Sequence, residues 1–301
     1  MSDWSMKNKF KSAVIILVFI AIISLLIYFI CNCIGVQSNL IVPISVIISV
    51  ISSIISYYNS DKIVLSMNNA KPATPEQNQR MINILENLCA KANIEMPRLY
   101  VVEDSSPNAF ATGRNPKHAV ICVTTGILSR LEDYELEGVL AHELSHVKNF
   151  DIRLQAVATV FVGFITILSD ILLRSGLRSS GRRNDNNNGG GIVSIVIFIV
   201  GLALTILSPI VAQLMQLALS RKREFLADSS AAELTGNPQG LINALIKISS
   251  DPQPLEVANK ATASMYIANP FKGKDAQKLL NKLYATHPPM DERIEALRNL
   301  K

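Results

Sequence analysis

Aromatic residues are scarce in this sequence. They make up 6% of its 301 residues although 49% are hydrophobic, so the apolar excess is aliphatic. That excess is gathered in a few long blocks, the pattern of membrane spans rather than of an unusually apolar core. Cysteine is sparse too. Cys31, Cys33, Cys89 and Cys122 do not make a disulfide framework in a chain of this length. Cys89 and Cys122 fall in apolar patterns as small buried residues, and the Cys31-x-Cys33 pair has no histidine or carboxylate near it to complete a metal site. Net charge is modest at +5. The lysines and arginines are scattered, with no basic stripe interleaved with aromatics, which argues against nucleic acid as a partner.

Inside the apolar blocks charge is missing altogether. There is none from Ala13 to Ile34, a stretch long enough to cross a hydrocarbon core of about 30 Å as a helix. Lys7, Lys9 and Lys11 precede it as the basic region of a signal peptide would. The apolar stretch is too long for that reading, and no small-x-small cleavage site follows it cleanly. A second uncharged run, Leu40 to Tyr57, comes after a short polar turn with Gly35, Gln37, Ser38 and Asn39. The two runs form a hairpin, and the three lysines place the N-terminus and the region after Tyr57 in the cytoplasm. Leu154 to Ser169 is short for a span unless Asp170 sits at the boundary. Gly191 to Leu219 is interrupted by Pro209 and ends at Arg221-Lys222-Arg223. Between them, Arg174 to Gly190 is a flexible Arg-, Asn- and Gly-rich loop. If both runs cross, that basic loop lies outside, against the charge rule; a re-entrant or interfacial hairpin would keep it inside. Two crossings are favoured.

The polar stretches carry helix and strand signals. Thr74, Pro75 and Gln77 make a helix start with a capping box, and Ile82, Leu85, Leu88, Cys89 and Ala92 follow at helical spacing. Arg98 to Glu103 reads as a strand. Asn108 to Gly113, the turn Arg114-Asn115-Pro116-Lys117 and the β-like run Ala119 to Thr124 suggest a hairpin. After Gly126 the pattern is helical through Asn149, ending near Asp151. Glu224 to Lys301 reads as shorter helices separated by proline-containing breaks.

Within the first long helix lies His142-Glu143-Leu144-Ser145-His146, the H-E-x-x-H pattern. Positions i and i+4 share one helix face, so both imidazoles can hold one Zn²⁺. Glu143, one residue on from the first histidine, cannot easily bind the same ion. It can accept a proton from a water in the open coordination position. The best third ligand is Glu224, in Glu224-Phe225-Leu226-Ala227-Asp228, with Asp228 one turn on to orient a histidine by accepting its second ring N–H. Acidic residues favoured at a helix start are the plainer reading of that pair. His142, His146 and Glu224 can meet only on one side of a membrane, so zero or two crossings separate Asp151 from Arg221.

With these motifs in place the sequence resembles the HtpX-type membrane zinc metalloproteases, whose more distant branch includes the prenyl-protein (CAAX) endopeptidases. The resemblance covers nearly the whole chain. It rests on Asn108-Ala-Phe-Ala-Thr-Gly113, on His142-Glu-Leu-Ser-His146 extended by Asn149 and Asp151, on Arg223-Glu-Phe-Leu-Ala-Asp228, and on Thr286-His-Pro-Pro289 followed by Arg293. It implies Glu224 as third ligand to one Zn²⁺ per chain and His287 as a stabiliser of the tetrahedral intermediate. A lone histidine before two prolines can equally be structural. It also implies that Asn108 to Gly113 form an edge strand at the cleft, where a substrate backbone adds as a further strand, with Asn108, Ala109, Phe110 and Ala111 as its binding residues. Asn108 could hydrogen-bond that substrate or simply shape a turn. Arg293 is expected to pair with a carboxylate or carbonyl of the C-terminal part.

The expected fold is a mainly α integral membrane protein with a helical, zincin-like metalloprotease domain and a small β-sheet at the cleft. It divides into an N-terminal transmembrane hairpin (1–60), a first catalytic part with the H-E-x-x-H helix (61–152), a second hydrophobic hairpin (153–220) and a second catalytic part with the third ligand (221–301). The expected function is that of a multi-pass endopeptidase of the inner cell membrane. It faces the cytoplasm and cleaves membrane or misfolded proteins beside the lipid bilayer in quality control and stress response. A processing protease for lipidated peptides and a non-catalytic zinc-containing scaffold are the alternatives. The oligomeric state is left open.

Overall fold

The computed structural model describes residues 3–33, 38–180, 194–206, 221–259, 261–271 and 288–300. The elements in chain order are α1 (Asp3–Cys33), α2 (Ile41–Tyr58), α3 (Ser60–Met67), β1 (Lys71–Pro72), α4 (Pro75–Ala92), β2 (Arg98–Val102), β3 (Ala109–Thr112), β4 (Val120–Thr124), α5 (Thr125–Arg130), α6 (Asp133–Lys148) and α7 (Asp151–Ser180). They continue with α8 (Ser194–Ile206), α9 (Arg221–Thr235), α10 (Pro238–Ser250) and α11 (Met290–Arg298). This is a mainly helical integral membrane protein with one small sheet. Two compact units are formed. The first draws on Met1–Lys11, Asn59–Ala156 and Gln216–Lys301, the second on Ser12–Tyr58 and Val157–Met215.

Among the described residues, Ser5–Asn32, Ile41–Tyr58 and Asp151–Ser175 are long and apolar enough to cross a membrane. The third stretch is longer than the sequence suggested. The helix continues through Asp170, whose carboxylate accepts from Arg174 Nε at 2.9 Å one turn on, so the polar pair is satisfied locally. Most of the run from Gly191 to Leu219 lies outside the described residues. Within the second unit, small polar side chains let helices approach. Ser45, Ser49 and Ser53 form the buried face of α2 together with Ile41, and Ser24 and Ser49 hydroxyls meet at 3.2 Å. Phe19 and Phe161 stack with ring centres 3.9 Å apart.

The first unit is organised around α6. Its sheet has the order β1-β2-β4-β3: β2 runs parallel to β4, while β1 and β3 run antiparallel to their neighbours. Val120 to Thr124 are buried on both faces. The α4 start carries the expected box, with Thr74 and Gln77 capping each other reciprocally. Leu85, Leu88 and Cys89 of α4, Ile121 and Val123 of β4, Leu136, Val139, Leu140, Leu144 and Val147 of α6 and Leu241, Leu245 and Ile248 of α10 share one core. Burial therefore surrounds α6 on every side rather than on one apolar face.

The crossing of α6 and α10 depends on two glycines. A Cβ on Gly138 would lie 2.6 Å from Leu241 N, and one on Gly240 would lie 2.4 Å from Tyr134 O. Both obstacles are backbone, which cannot swing aside. Gly138→Ala should therefore destabilise the protein by about 1–3 kcal/mol in spite of alanine's better helix propensity. Thermal unfolding in detergent reads this directly, and a melting temperature at or above wild type would refute the close crossing.

Candidate metal centre

Three side chains converge inside the first unit. His142 and His146 project from one face of α6, a turn apart, and α9 brings Glu224 against them; all three are buried. The two Nε2 atoms are 3.2 Å apart. Glu224 Oε2 lies 3.8 Å from His142 Nε2, and its Oε1 lies 3.7 Å from His146 Nε2. One donor atom from each residue fits within 4.8 Å of the others. Two ligands of a tetrahedral zinc at about 2.0–2.1 Å are roughly 3.3 Å apart, so the histidine spacing suits such an ion. Glu224 would need only a short inward movement.

The far side of each imidazole is held by a carboxylate. His142 Nδ1 lies 2.9 Å from Asp228 Oδ1, off the line of an ideal hydrogen bond. His146 Nδ1 donates to Asp151 Oδ2 at 2.9 Å. A carboxylate behind Nδ1 fixes the tautomer with its proton there and leaves the Nε2 lone pair for a metal. The sequence had singled out Asp228 for this position. It had not assigned a partner to His146: Asp151 opens α7 just beyond the α6 end, and was noted only as part of the extended motif, without a role.

Both carboxylates are themselves anchored. Arg293, 0% exposed, donates to Asp228 from Nε at 2.8 Å and Nη2 at 2.7 Å, and to the Ile267 carbonyl from Nη1 at 2.9 Å. It therefore takes both a carboxylate and a carbonyl. Asp151 Oδ1 accepts from Arg223 Nη1 and from Asn8 Nδ2, each at 2.6 Å. No sequence signal pointed to Asn8. Burial alone would lower the Arg293 pKa, but the charge and hydrogen bonds of Asp228 hold it above its ordinary value. Burial alone would raise Asp228, but the charge and hydrogen bonds of Arg293 outweigh that and keep it below the usual carboxylate range.

The two histidines titrate in opposite directions. Burial takes His142 down to about 4 against the pull of Asp228. His146 is burdened by burial as well, but its hydrogen bond to Asp151 and the charges of Glu224, Asp151 and Glu143 lift it to about 9. Two Nε2 lone pairs at 3.2 Å would repel unless a cation, a proton or a metal ion, lay between them. Glu143 is buried beside them. Burial and the charge of Glu224 push it up to about 7, while His146, Arg293 and a hydrogen bond from the Ala111 backbone pull the other way.

That Ala111 contact shows how the sheet edge serves the site. β3 is an edge strand, and Ala109 and Ala111 direct their backbone groups away from β4, because Asn108, Phe110 and Thr112 hold the paired positions. The edge is not bare. Ile267 N donates to Ala109 O at 2.9 Å. Asn108 clasps Ala268, its Nδ2 donating to the carbonyl at 3.0 Å and its Oδ1 accepting from the amide at 3.3 Å. The Asn108 amide is thus engaged within the chain, and Phe110 packs edge-on against Tyr266 with centroids 5.1 Å apart. His287 lies outside the described residues.

Comparison with known proteins places the chain among peptidases. The description "Peptidase family M48" matches residues 75–301. A "Protease HtpX homolog" from Dictyoglomus thermophilum is 47% identical over 243 residues, covering 81% of this chain and 76% of that protein. A homologue of the same name from Ligilactobacillus salivarius is 43% identical over 257 residues, covering 85% of each. Among solved structures, the crystal structure of S. mikatae Ste24p matches with a TM-score of 0.49 and 18% identity, over 99% of this chain and 67% of that one.

Proposed function

Because the chain belongs to peptidase family M48 and is a membrane-bound metalloprotease, we propose that it is a zinc-dependent endopeptidase of the inner membrane. In this reading its catalytic part faces the cytoplasm, and it cleaves membrane or misfolded proteins in quality control. The observation that carries the metal assignment is the donor set. Two Nε2 atoms and a carboxylate meet in a buried pocket with a carboxylate behind each imidazole. Among the described residues three protein donors meet, which leaves a position open, as catalytic zinc sites do and structural ones do not. Sidedness rests on Lys7, Lys9 and Lys11 preceding the first span.

His142, His146 and Glu224 would hold a zinc ion, which when bound would supply Lewis-acid polarisation of the scissile carbonyl and the attacking water. The chain's own groups do the rest. Glu143 takes the proton of the attacking water and passes it to the departing amine. Asp228 and Asp151 keep both Nδ1 atoms protonated and both rings turned inward. A substrate backbone is placed at the Ala111 end of β3, beside Glu143, since the Ala109 carbonyl is taken by Ile267. The anchor raises the local concentration of membrane-associated substrates.

The test is reconstitution. Protein purified in detergent and stripped with chelator should take up one zinc per chain and thereby gain cleavage of an unfolded membrane protein; failure to bind zinc would end the proposal. The raised pKa of His146 adds a quantitative check. His146 is raised to about 9, so at pH 8 it is still largely protonated, and the metal must displace that proton. About one proton per zinc should be released at pH 8, and zinc affinity should climb with pH and level off above about 9. Calorimetry in buffers of different ionisation enthalpy measures the release, and a value near zero would mean that His146 is already neutral at pH 8.

A further inference from the structure

Asn8 lies in the first turns of α1, ahead of the long uncharged stretch, yet it is only 1% exposed. Its side chain joins three separate parts of the first unit. Nδ2 donates to Asp151 Oδ1 at 2.6 Å and to the Asn149 carbonyl at 3.0 Å, while Oδ1 accepts from Arg223 Nη1 at 3.3 Å. Asp151 divides its two oxygens: Oδ2 holds His146 Nδ1, and Oδ1 is shared by Asn8 and Arg223. An amide suits this place because it donates to the carboxylate and accepts from the guanidinium at once. A carboxylate there would face Asp151, and an ammonium would face Arg223. The same turn of α1 is steadied separately, with Lys9 Nζ 4.2 Å above the Phe150 ring.

We propose that Asn8 is a positioning residue of the metal centre, setting the Asp151 carboxylate and through it the His146 ring. The foot of the first apolar helix is then part of the zinc site as well as an anchor. This deepens the reading above and rests on it, since it requires His146 to be a ligand. A buried carboxylate that lost the amide would keep its charge pair with Arg223 but could rotate about it. The penalty therefore falls on ring orientation, and so on metal affinity, before it falls on the fold.

The experiment is chelator competition for zinc on the full-length protein in detergent, with wild type, N8A, Asn8→Ser, D151N, D228N and the doubles N8A/D151N and N8A/D228N. N8A should weaken zinc binding roughly tenfold, within the range for groups that orient a metal ligand, and Asn8→Ser should fall between it and wild type. If Asn8 acts through Asp151, adding N8A to D151N should cost less than about twofold, whereas adding it to D228N should cost the full factor again. Lys9→Ala, which removes the Phe150 contact of the same turn and leaves the Asn8 amide in place, should leave affinity within about twofold of wild type. Wild-type affinity in N8A, or an equal loss on both backgrounds, would overturn the inference while leaving the zinc site standing. A wild type that binds no zinc would overturn both.

Discussion

Glu143→Gln should lower kcat/KM for peptide hydrolysis by about 10²–10⁴-fold while leaving zinc content at wild-type level. The substitution removes proton transfer and little else. Glutamine has nearly the same shape, and its carbonyl oxygen can still accept from the Ala111 backbone that now bonds the carboxylate. Glu143 is also not among the three converging donors. The pH profile supplies a second readout. Without metal the carboxyl sits at about 7, and the positive charge of a bound ion draws it lower. The acid limb of kcat/KM should therefore lie below pH 7, with activity lost as pH falls and the base takes up its proton. The sign for stability is opposite: a carboxyl raised on folding destabilises the fold once it ionises, so metal-free Glu143→Gln protein should be the more stable of the two above pH 7. Equal cleavage rates for variant and wild type, prepared side by side, would remove Glu143 from the mechanism.

The second large effect is on stability. Arg293→Met should cost about 3–5 kcal/mol, because it leaves the buried Asp228 carboxylate without its bidentate partner, with a fall in melting temperature on the order of 10 °C. The double variant Asp228→Asn/Arg293→Met should recover much of the loss, since it removes the orphaned charge along with its partner. Lysine should rescue only in part. It offers a point charge where the site has a planar fork engaging both Asp228 oxygens and the Ile267 carbonyl. Thermal unfolding of the four proteins in one detergent decides this. A single variant that melts with wild type would mean that water reaches Asp228 and that the arginine is dispensable.

How far the sequence could be read depended on the distance over which each signal acts. The α4 capping box and the antiparallel pairing of β3 with β4 are local, governed by residues within a few positions of one another, and both were legible. The i, i+4 relation of His142 and His146 is equally local. The same holds for Glu224 and Asp228 on α9, although that α9 meets α6 followed only from requiring one ion to join them. What was not legible is long-range and lacks a periodic pattern. Asn8 and Asp151 are 143 residues apart, and nothing around Asn8 distinguishes it from any polar residue flanking lysines. The covering of the β3 edge by Ile267 and Ala268 was missed for the same reason: a single backbone hydrogen bond and an asparagine clasp leave no trace in composition. Burial was underread as well. The pattern after Gly126 marked α6 as a helix but not as one covered on every side, and a helix packed on all sides keeps its polar residues inside too, provided they are paired.

The way the first unit is assembled also has a consequence for how the molecule comes into being. Its parts are drawn from the beginning, the middle and the end of the chain, and the last anchor, Arg293, follows His146 by 147 residues. At translation rates of about 5–20 residues per second, roughly 7–30 s separate the emergence of the two. Throughout that interval the nascent chain carries the H-E-x-x-H helix without Glu224, or with Glu224 but without the clamp on Asp228. On the proposed reading, a peptidase built this way stays unarmed until Arg293 has been made.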